Sequence, residues 1–223
     1  MRHSKNKVYI SIAISLVIVA IASFVLIQIK DRTYFHSPPY TQKDNGSTKT
    51  LVVYYSRSGN TEALAREIAR GVGADIVQIR ADKYGLDFKG WRAANKDASD
   101  KFYPDIEPEV MDLDQYSLVF LGSPIWWFSP APPLWSFVEK NDLTNKNIVL
   151  FNTFNSRFKK EEIQAFQEKV RMKGGHLLDH VFIRRGRVYN QKNGQEFLEE
   201  AQTLVDEKVK EWKAYQRDKQ VSP

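Results

Sequence analysis

From residue 51 onward the chain alternates five times between a short apolar run and a segment with helical spacing of its apolar residues. The apolar runs are 51–55, 75–80, 117–121, 147–152 and 179–184. The helical segments are 61–72, 88–99, 132–140, 160–173 and 194–215. A strand that reaches the next strand through a helix returns to the same end of the sheet, so neighbours run parallel. The spacing predicts an α/β domain, a five-stranded parallel sheet with helices on both faces. Ligands of such sheets bind beyond the carboxyl ends of the strands.

The first run, Leu51-Val52-Val53-Tyr54-Tyr55, stops in Ser56-Arg57-Ser58-Gly59-Asn60-Thr61, and a helical pattern begins at once with Glu62. A hydroxyl-rich loop at a helix N-terminus suits a phosphate, because the first-turn N–H groups lack intrahelical partners and the helix dipole favours an anion. Ser56, Ser58 and Thr61 carry hydroxyl donors. Gly59 permits close backbone approach or positive φ. There is no Walker lysine and no GxGxxG spacing, so neither a nucleoside triphosphate nor a dinucleotide is the natural ligand.

The third run leads into Gly122-Ser123-Pro124-Ile125-Trp126-Trp127-Phe128-Ser129-Pro130. Glycine and proline mark a loop, yet it carries three adjacent large aromatics, which normally sit inside elements that bury them. A planar ligand would give one of them a partner. Adjacent residues of an extended segment point to opposite sides. One tryptophan is therefore expected to face such a ligand and the other to face protein.

Ser56-Arg57-Ser58-Gly59-Asn60-Thr61 resembles the flavodoxin phosphate loop, (Ser/Thr)-x-(Ser/Thr)-Gly-Asn-Thr. The aromatic stretch resembles the Gly-x-Pro-x-Trp-Trp loop of flavodoxin-like proteins. The resemblance covers about residues 50–215. It implies a doubly wound sheet of order 2-1-3-4-5 and FMN as cofactor. It places Ser56, Arg57, Ser58, Gly59, Asn60 and Thr61 at the phosphate. Ser123, Pro124, Ile125, Trp126, Trp127 and Phe128 belong beside the isoalloxazine ring, and Thr153, Phe154 and Asn155 at the ring edge. Relatives often carry Thr-Ser-Gly-Gly in that last loop. This chain keeps Thr153 without the glycines, and Phe154 is as well suited to the core as to the ring.

Ahead of the domain, Val8 to Ile29 is apolar or small except at Gln28, with no charge until Lys30. That length crosses a bilayer core of roughly 30 Å as a helix. The expected organisation is a basic tail and transmembrane anchor (1–29), a polar linker (30–49), the flavodoxin-like domain (50–215) and a polar tail (216–223). A signal peptide cleaved near Ala20-Ile21-Ala22 is the competing reading, but the apolar run continues beyond it. A first apolar helix behind a short basic tail leaves that tail in the cytoplasm, which would put the domain outside.

The net charge of +6 is concentrated at the front of the chain. Residues 1–49 hold seven Lys/Arg against two Asp/Glu, and the remainder holds 26 against 25. A domain that near neutrality lacks the basic face of a nucleic-acid binder. With no cysteine there are no disulfides, thiolate nucleophiles or iron–sulfur ligands. His176 and His180 are four apart, but they flank an apolar run and no carboxylate motif completes a metal site. Ser58 has no Gly-x-Ser-x-Gly elbow, and no acidic residue ends the first run, which argues against a serine hydrolase and a phosphoacceptor receiver.

Three functions follow. One is a membrane-tethered FMN electron carrier serving a redox partner protein or a quinone. A second is an FMN-dependent NAD(P)H:quinone-type oxidoreductase, and a third a flavin-free binding module of this fold. Arg57, Arg157, Lys159, Lys160, Arg184, Arg185 and Arg187 lie at the expected site end. Any of them close to the ring would stabilise an anionic reduced flavin.

Overall fold

The computed structural model describes residues 2–41, 49–187 and 189–215. Two compact units result, Met1–Tyr34 and Phe35–Pro223. The first is a single helix, α1 (Arg2–Arg32). Its stretch Lys7–Leu26 is 20 residues long and buries nothing. At 1.5 Å per residue that is about 30 Å, the thickness of a bilayer's hydrocarbon core.

The second unit runs β1 (Thr50–Tyr55), α2 (Asn60–Val72), β2 (Asp75–Ile79), a 3₁₀ turn (Asp82–Tyr84), α3 (Phe88–Asp100), β3 (Leu118–Trp126) and β4 (Ser129–Pro130). It continues through α4 (Pro132–Lys140), β5 (Asn147–Phe154), α5 (Lys160–Met172), β6 (His176–Arg184) and α6 (Gly194–Tyr215). The sheet order is β2-β1-β3-β5-β6, with parallel pairing throughout that path. Counted over the parallel strands alone, this is the expected order 2-1-3-4-5. The short β4 pairs antiparallel with β3 at the sheet's rim.

Strand alternation sends side chains to two cores. Leu51, Val53, Val119, Leu121, Ile148 and Leu150 meet α3, α4 and α5 through residues such as Ala94, Phe137 and Phe166. Val52, Phe120, Val149 and Phe151 meet α2 and α6 through Leu64, Ile68, Phe197 and Trp212. Burying each of these large side chains stabilises the fold by about 1.5–3 kcal/mol, so the central strands are fixed in register. Asp87 caps α3 by accepting the Gly90 N–H at 2.7 Å, and α4 starts on Pro132 and Pro133, where a missing N–H costs nothing.

Three features depart from the sequence expectation. First, β3 does not end at residue 121 but continues to Trp126, so Ser123, Pro124, Ile125 and Trp126 are strand residues. Pairing with β1 stops at Gly122 while pairing with β5 goes on to Pro124 opposite Thr153. A proline is tolerated there because the strand has only one neighbour. Second, β6 begins at His176, so both histidines lie inside it. An irregularity sets Leu177 opposite Ile148 and Asp179 opposite Val149. The extra residue reverses the facing of everything after it. Third, inside the stretch expected as linker, Phe35 to Tyr40 packs on the domain. Phe35 and Tyr40 lie against the α2/α6 core, and Ser37 is buried. Residues 42–48, with Asn45-Gly46-Ser47, and the tail 216–223 lie outside the described residues.

Candidate functional site

β1 and β3 are adjacent, and their connections depart in opposite directions from the middle of the sheet, α2 on one face and α4 on the other. The crevice between the loops after β1 and β3 is the topological switch point of this sheet.

The loop Ser56–Gly59 enters α2 without a side-chain cap. Gly59, at φ 86°, turns the chain into the helix. The Ser56 hydroxyl accepts the Gly59 N–H at 3.1 Å and so closes the loop on itself. The Ala63 N–H bonds to Gly59 O at 2.9 Å as the chain enters the helix. A helix begun this way presents its N-terminal dipole end to whatever lies in front of Ser58. Asn60 donates to the Ser58 hydroxyl at 3.2 Å, and Arg57 reaches sideways to Gly85 O at 3.0 Å. Thr61 is almost fully buried and its hydroxyl meets that of Thr153 at 2.7 Å, tying the start of α2 to the end of β5.

On the other side, β3 and β4 form a hairpin with Trp126 opposite Ser129. The two loop residues, Trp127 at φ 46° and Phe128 at φ 70°, both have left-handed backbone. Two-residue hairpins favour that geometry, but they fill it with Asn-Gly or Asp-Gly. Trp126 turns towards protein, with its ring edge-on to Tyr55 and Tyr84 at 5.5 and 5.4 Å. Burial of the Tyr55 and Tyr84 hydroxyls pushes their pKa values well up, so both stay protonated. Trp127 is 56% exposed, and its indole N–H reaches Asn95 of α3 at 3.3 Å. Phe128 sits under the guanidinium of Arg157 and the ammonium of Lys159, at 5.5 and 5.2 Å, and its carbonyl accepts the Lys159 N–H at 3.0 Å.

The third loop divides its residues. Phe154 is buried, packed against Phe158 and Phe182, whereas Asn155 is exposed. Ser123 is fully buried; its hydroxyl accepts the Ala131 N–H at 3.1 Å and its carbonyl accepts Asn152 Nδ2 at 2.9 Å. The amide orientation leaves Asn152 Oδ1 as an acceptor, so His180 donates from Nε2 at 2.9 Å. Burial pushes the His180 pKa down to about 4, so the ring is neutral. A polar line thus runs His180–Asn152–Ser123–Ala131 beneath the hairpin.

The loops after β1 and β3 therefore flank the switch point, while Ser123 and Phe154 are buried inside the protein. Sequence reading missed Asn95, whose only signal was its place on α3. It also missed the bearing of His180 on Asn152, hidden by the irregularity in β6. Phe35 was missed because a short proline-containing segment has no period to read.

A profile of the flavodoxin family matches residues 49–192, more than half of the chain. The chain belongs to the flavodoxin family. An uncharacterised protein of Methanocaldococcus jannaschii is 28% identical to this flavodoxin over 132 residues, 58% of the chain and 71% of the relative. Among solved structures, a flavoprotein of Lactobacillus acidophilus crystallised with FMN superposes with a TM-score of 0.54 at 21% identity, covering 75% of this chain and 99% of that one. A putative flavoprotein of Bacteroides uniformis gives 0.57 at 21% identity, covering 72% and 99%. These likenesses establish a shared fold. Among the described residues no group of three or more His, Asp or Glu could hold a metal ion.

Proposed function

We propose that this flavodoxin binds FMN in the crevice and transfers electrons while tethered to a membrane by α1. The observation that carries the reading is the uncapped start of α2 behind Ser56–Thr61, set at the switch point of the sheet. The donor set fits a phosphate monoester: hydroxyls from Ser56 and Ser58, and the N-terminal dipole of α2. Gly59 fits the turn that aims them. The hairpin fits an aromatic ring system. Trp127 holds a large apolar face in the open, in a backbone conformation that bulky residues rarely adopt and that concentrates at ligand sites.

FMN, when bound, supplies the redox chemistry; the protein supplies position and charge. Trp127 would lie on the ring while Trp126 braces the hairpin against Tyr55 and Tyr84. Arg157 and Lys159 are held at the hairpin by Phe128, so their positive charge favours a reduced, anionic ring. The partner is a redox protein or a quinone. The α1 stretch Lys7–Leu26 supports an anchor, with the domain on the far side from the basic tail.

The test is to purify the full chain in detergent, record its visible spectrum and identify any released flavin. A yellow protein that yields FMN supports the reading. A colourless chain that takes up no added FMN overturns it. Steady-state NAD(P)H oxidation with a quinone acceptor then separates an enzyme from a carrier.

A further inference from the structure

Residues ahead of the family's span lie on the phosphate loop. The Phe35 N–H donates to Ser58 O at 2.9 Å. Phe35 O stands where a side chain at residue 59 would begin: a Cβ there would lie 2.0 Å from it. The Phe35 ring packs edge-on to Phe197 at 6.4 Å. It also fills the space beside Gly194, where a Cβ would come within 2.3 Å of the ring. Two glycines 135 positions apart thus make room for one residue, Gly59 for its backbone and Gly194 for its ring.

From there the chain follows α2 to its far end. Arg66 donates to Ser37 O at 2.7 Å and to the Ser37 hydroxyl at 3.0 Å. The same guanidinium holds Glu62 in the first turn of α2. Tyr40 donates to Ala74 O at 2.9 Å, just past the helix. Pro38 and Pro39 restrict this stretch to extended backbone, which lowers the entropy lost in laying it down.

We propose that Phe35–Tyr40 is a strap belonging to the phosphate site, in which Phe35 fixes the Ser58 carbonyl and so sets the loop for the phosphate group. The proposal rests on the FMN reading, and its ligand is the phosphate end of that cofactor. Within the site the strap touches residues 58 and 59, and its other contacts run along α2 and to α6, so it governs recognition of the phosphate and leaves recognition of the ring unchanged. A domain defined by the family's span, beginning at residue 49, would lack it.

The experiment uses the full chain in detergent, comparing wild type with Phe35→Pro, which removes the N–H. Flavin fluorescence gives dissociation constants for FMN and for riboflavin, which has the ring without the phosphate. The expected result is that FMN binding weakens roughly tenfold, the scale of one lost hydrogen bond with some loosening of the loop, while riboflavin binding stays within about twofold. Unchanged or tighter FMN binding overturns the proposal, as does equal loss of both flavins. Amide exchange on the flavin-free protein gives a second readout. Residues 57–63 should exchange faster in the variant, and unchanged exchange there overturns the strap whether or not flavin binds. A wild-type chain that binds no FMN defeats the cofactor reading, and the exchange result then decides the strap. If Phe35→Pro does not fold, Phe35→Ala carries the same comparisons, because it removes the ring that seats the donor.

Discussion

The two loops that frame the crevice are built by opposite means. In the loop after β1 the residue with positive φ is Gly59, and the short polar side chains of Ser56, Ser58 and Asn60 make bonds within the loop. In the hairpin after β3 the residues with positive φ are Trp127 and Phe128. A bulky residue in that region costs about 1–3 kcal/mol, and nothing within the hairpin offsets it. The offset comes from outside, from Asn95 on α3 and from Arg157 and Lys159 before α5. The proposed phosphate end thus takes its turn from local chain chemistry and is then held from outside by Phe35 and Thr153. The ring end is bent into place by its neighbours.

The largest expected effect tests the first half of that contrast. Gly59→Ala puts a Cβ at φ 86° and against the Phe35 carbonyl. Neither the turn nor the strap can give way cheaply, so the loss is about 3 kcal/mol of stability. Urea unfolding of the variant would measure it, and FMN binding should fall with it. A variant as stable as wild type would mean that the loop adapts, and the contrast would fail.

Second in size is an effect of acid on the ring end. His180 is neutral when folded, with its pKa pushed down to about 4, and returns to the usual 6.5 on unfolding. Above pH 6.5 neither state binds the proton and the stability is complete. Between 6.5 and 4 only the unfolded state binds it, so stability falls as the pH falls. The span corresponds to at most about 3 kcal/mol. Asp179 precedes it in the strand and accepts bonds from Lys208 and Trp212 on the opposite face, and its charge offsets only part of the effect of burial on the ring. Chemical denaturation across this range, wild type against His180→Gln, should show a steeper decline in wild type. Because His180 supports Ser123 through Asn152, amide protection should drop at 123–131 before it drops at 57–63. Simultaneous loss would dissolve the distinction between the two ends.

The same distinction explains what the sequence disclosed. The strand cores were legible because Leu51–Tyr55 and Asn147–Asn152 are apolar enough to declare themselves, and the turn into α2 because Gly59 and the Ser56 hydroxyl make it within four residues. Pro124 concealed the extension of β3, since a proline reads as a breaker unless the strand is known to have lost a neighbour. The burial of Ser123 was hidden for a related reason: its hydroxyl serves Ala131 and Asn152 across the sheet, partners that no local pattern announces. Phe154 joined an aromatic cluster with Phe158 and Phe182, which meet only once β5, the loop that follows it and β6 are assembled. The strap is the extreme case, because the bonds and ring contact that hold Phe35 and Ser37 reach Ser58, Arg66 and Phe197, all more than 20 residues away in sequence.

The smallest effect is the sharpest test, because it has the opposite sign from the first. Trp127→Gly removes a bulky residue from φ 46° and gives up one long, exposed hydrogen bond to Asn95. Glycine adopts that backbone freely, although it also adds entropy to the unfolded chain. The balance favours the variant, and the flavin-free protein should gain about 1 kcal/mol. Phe128→Gly should gain less, because Phe128 also gives up the cations of Arg157 and Lys159, worth about 0.5–1 kcal/mol each at exposed sites. FMN affinity should fall in the Trp127 variant even as thermal stability without flavin rises. That pairing, a more stable scaffold with a weaker site, is what a residue kept in strain for a ligand produces. Loss of stability on Trp127→Gly would show instead that the indole holds the hairpin for the fold's own sake, and the ring end would then be built like the phosphate end after all.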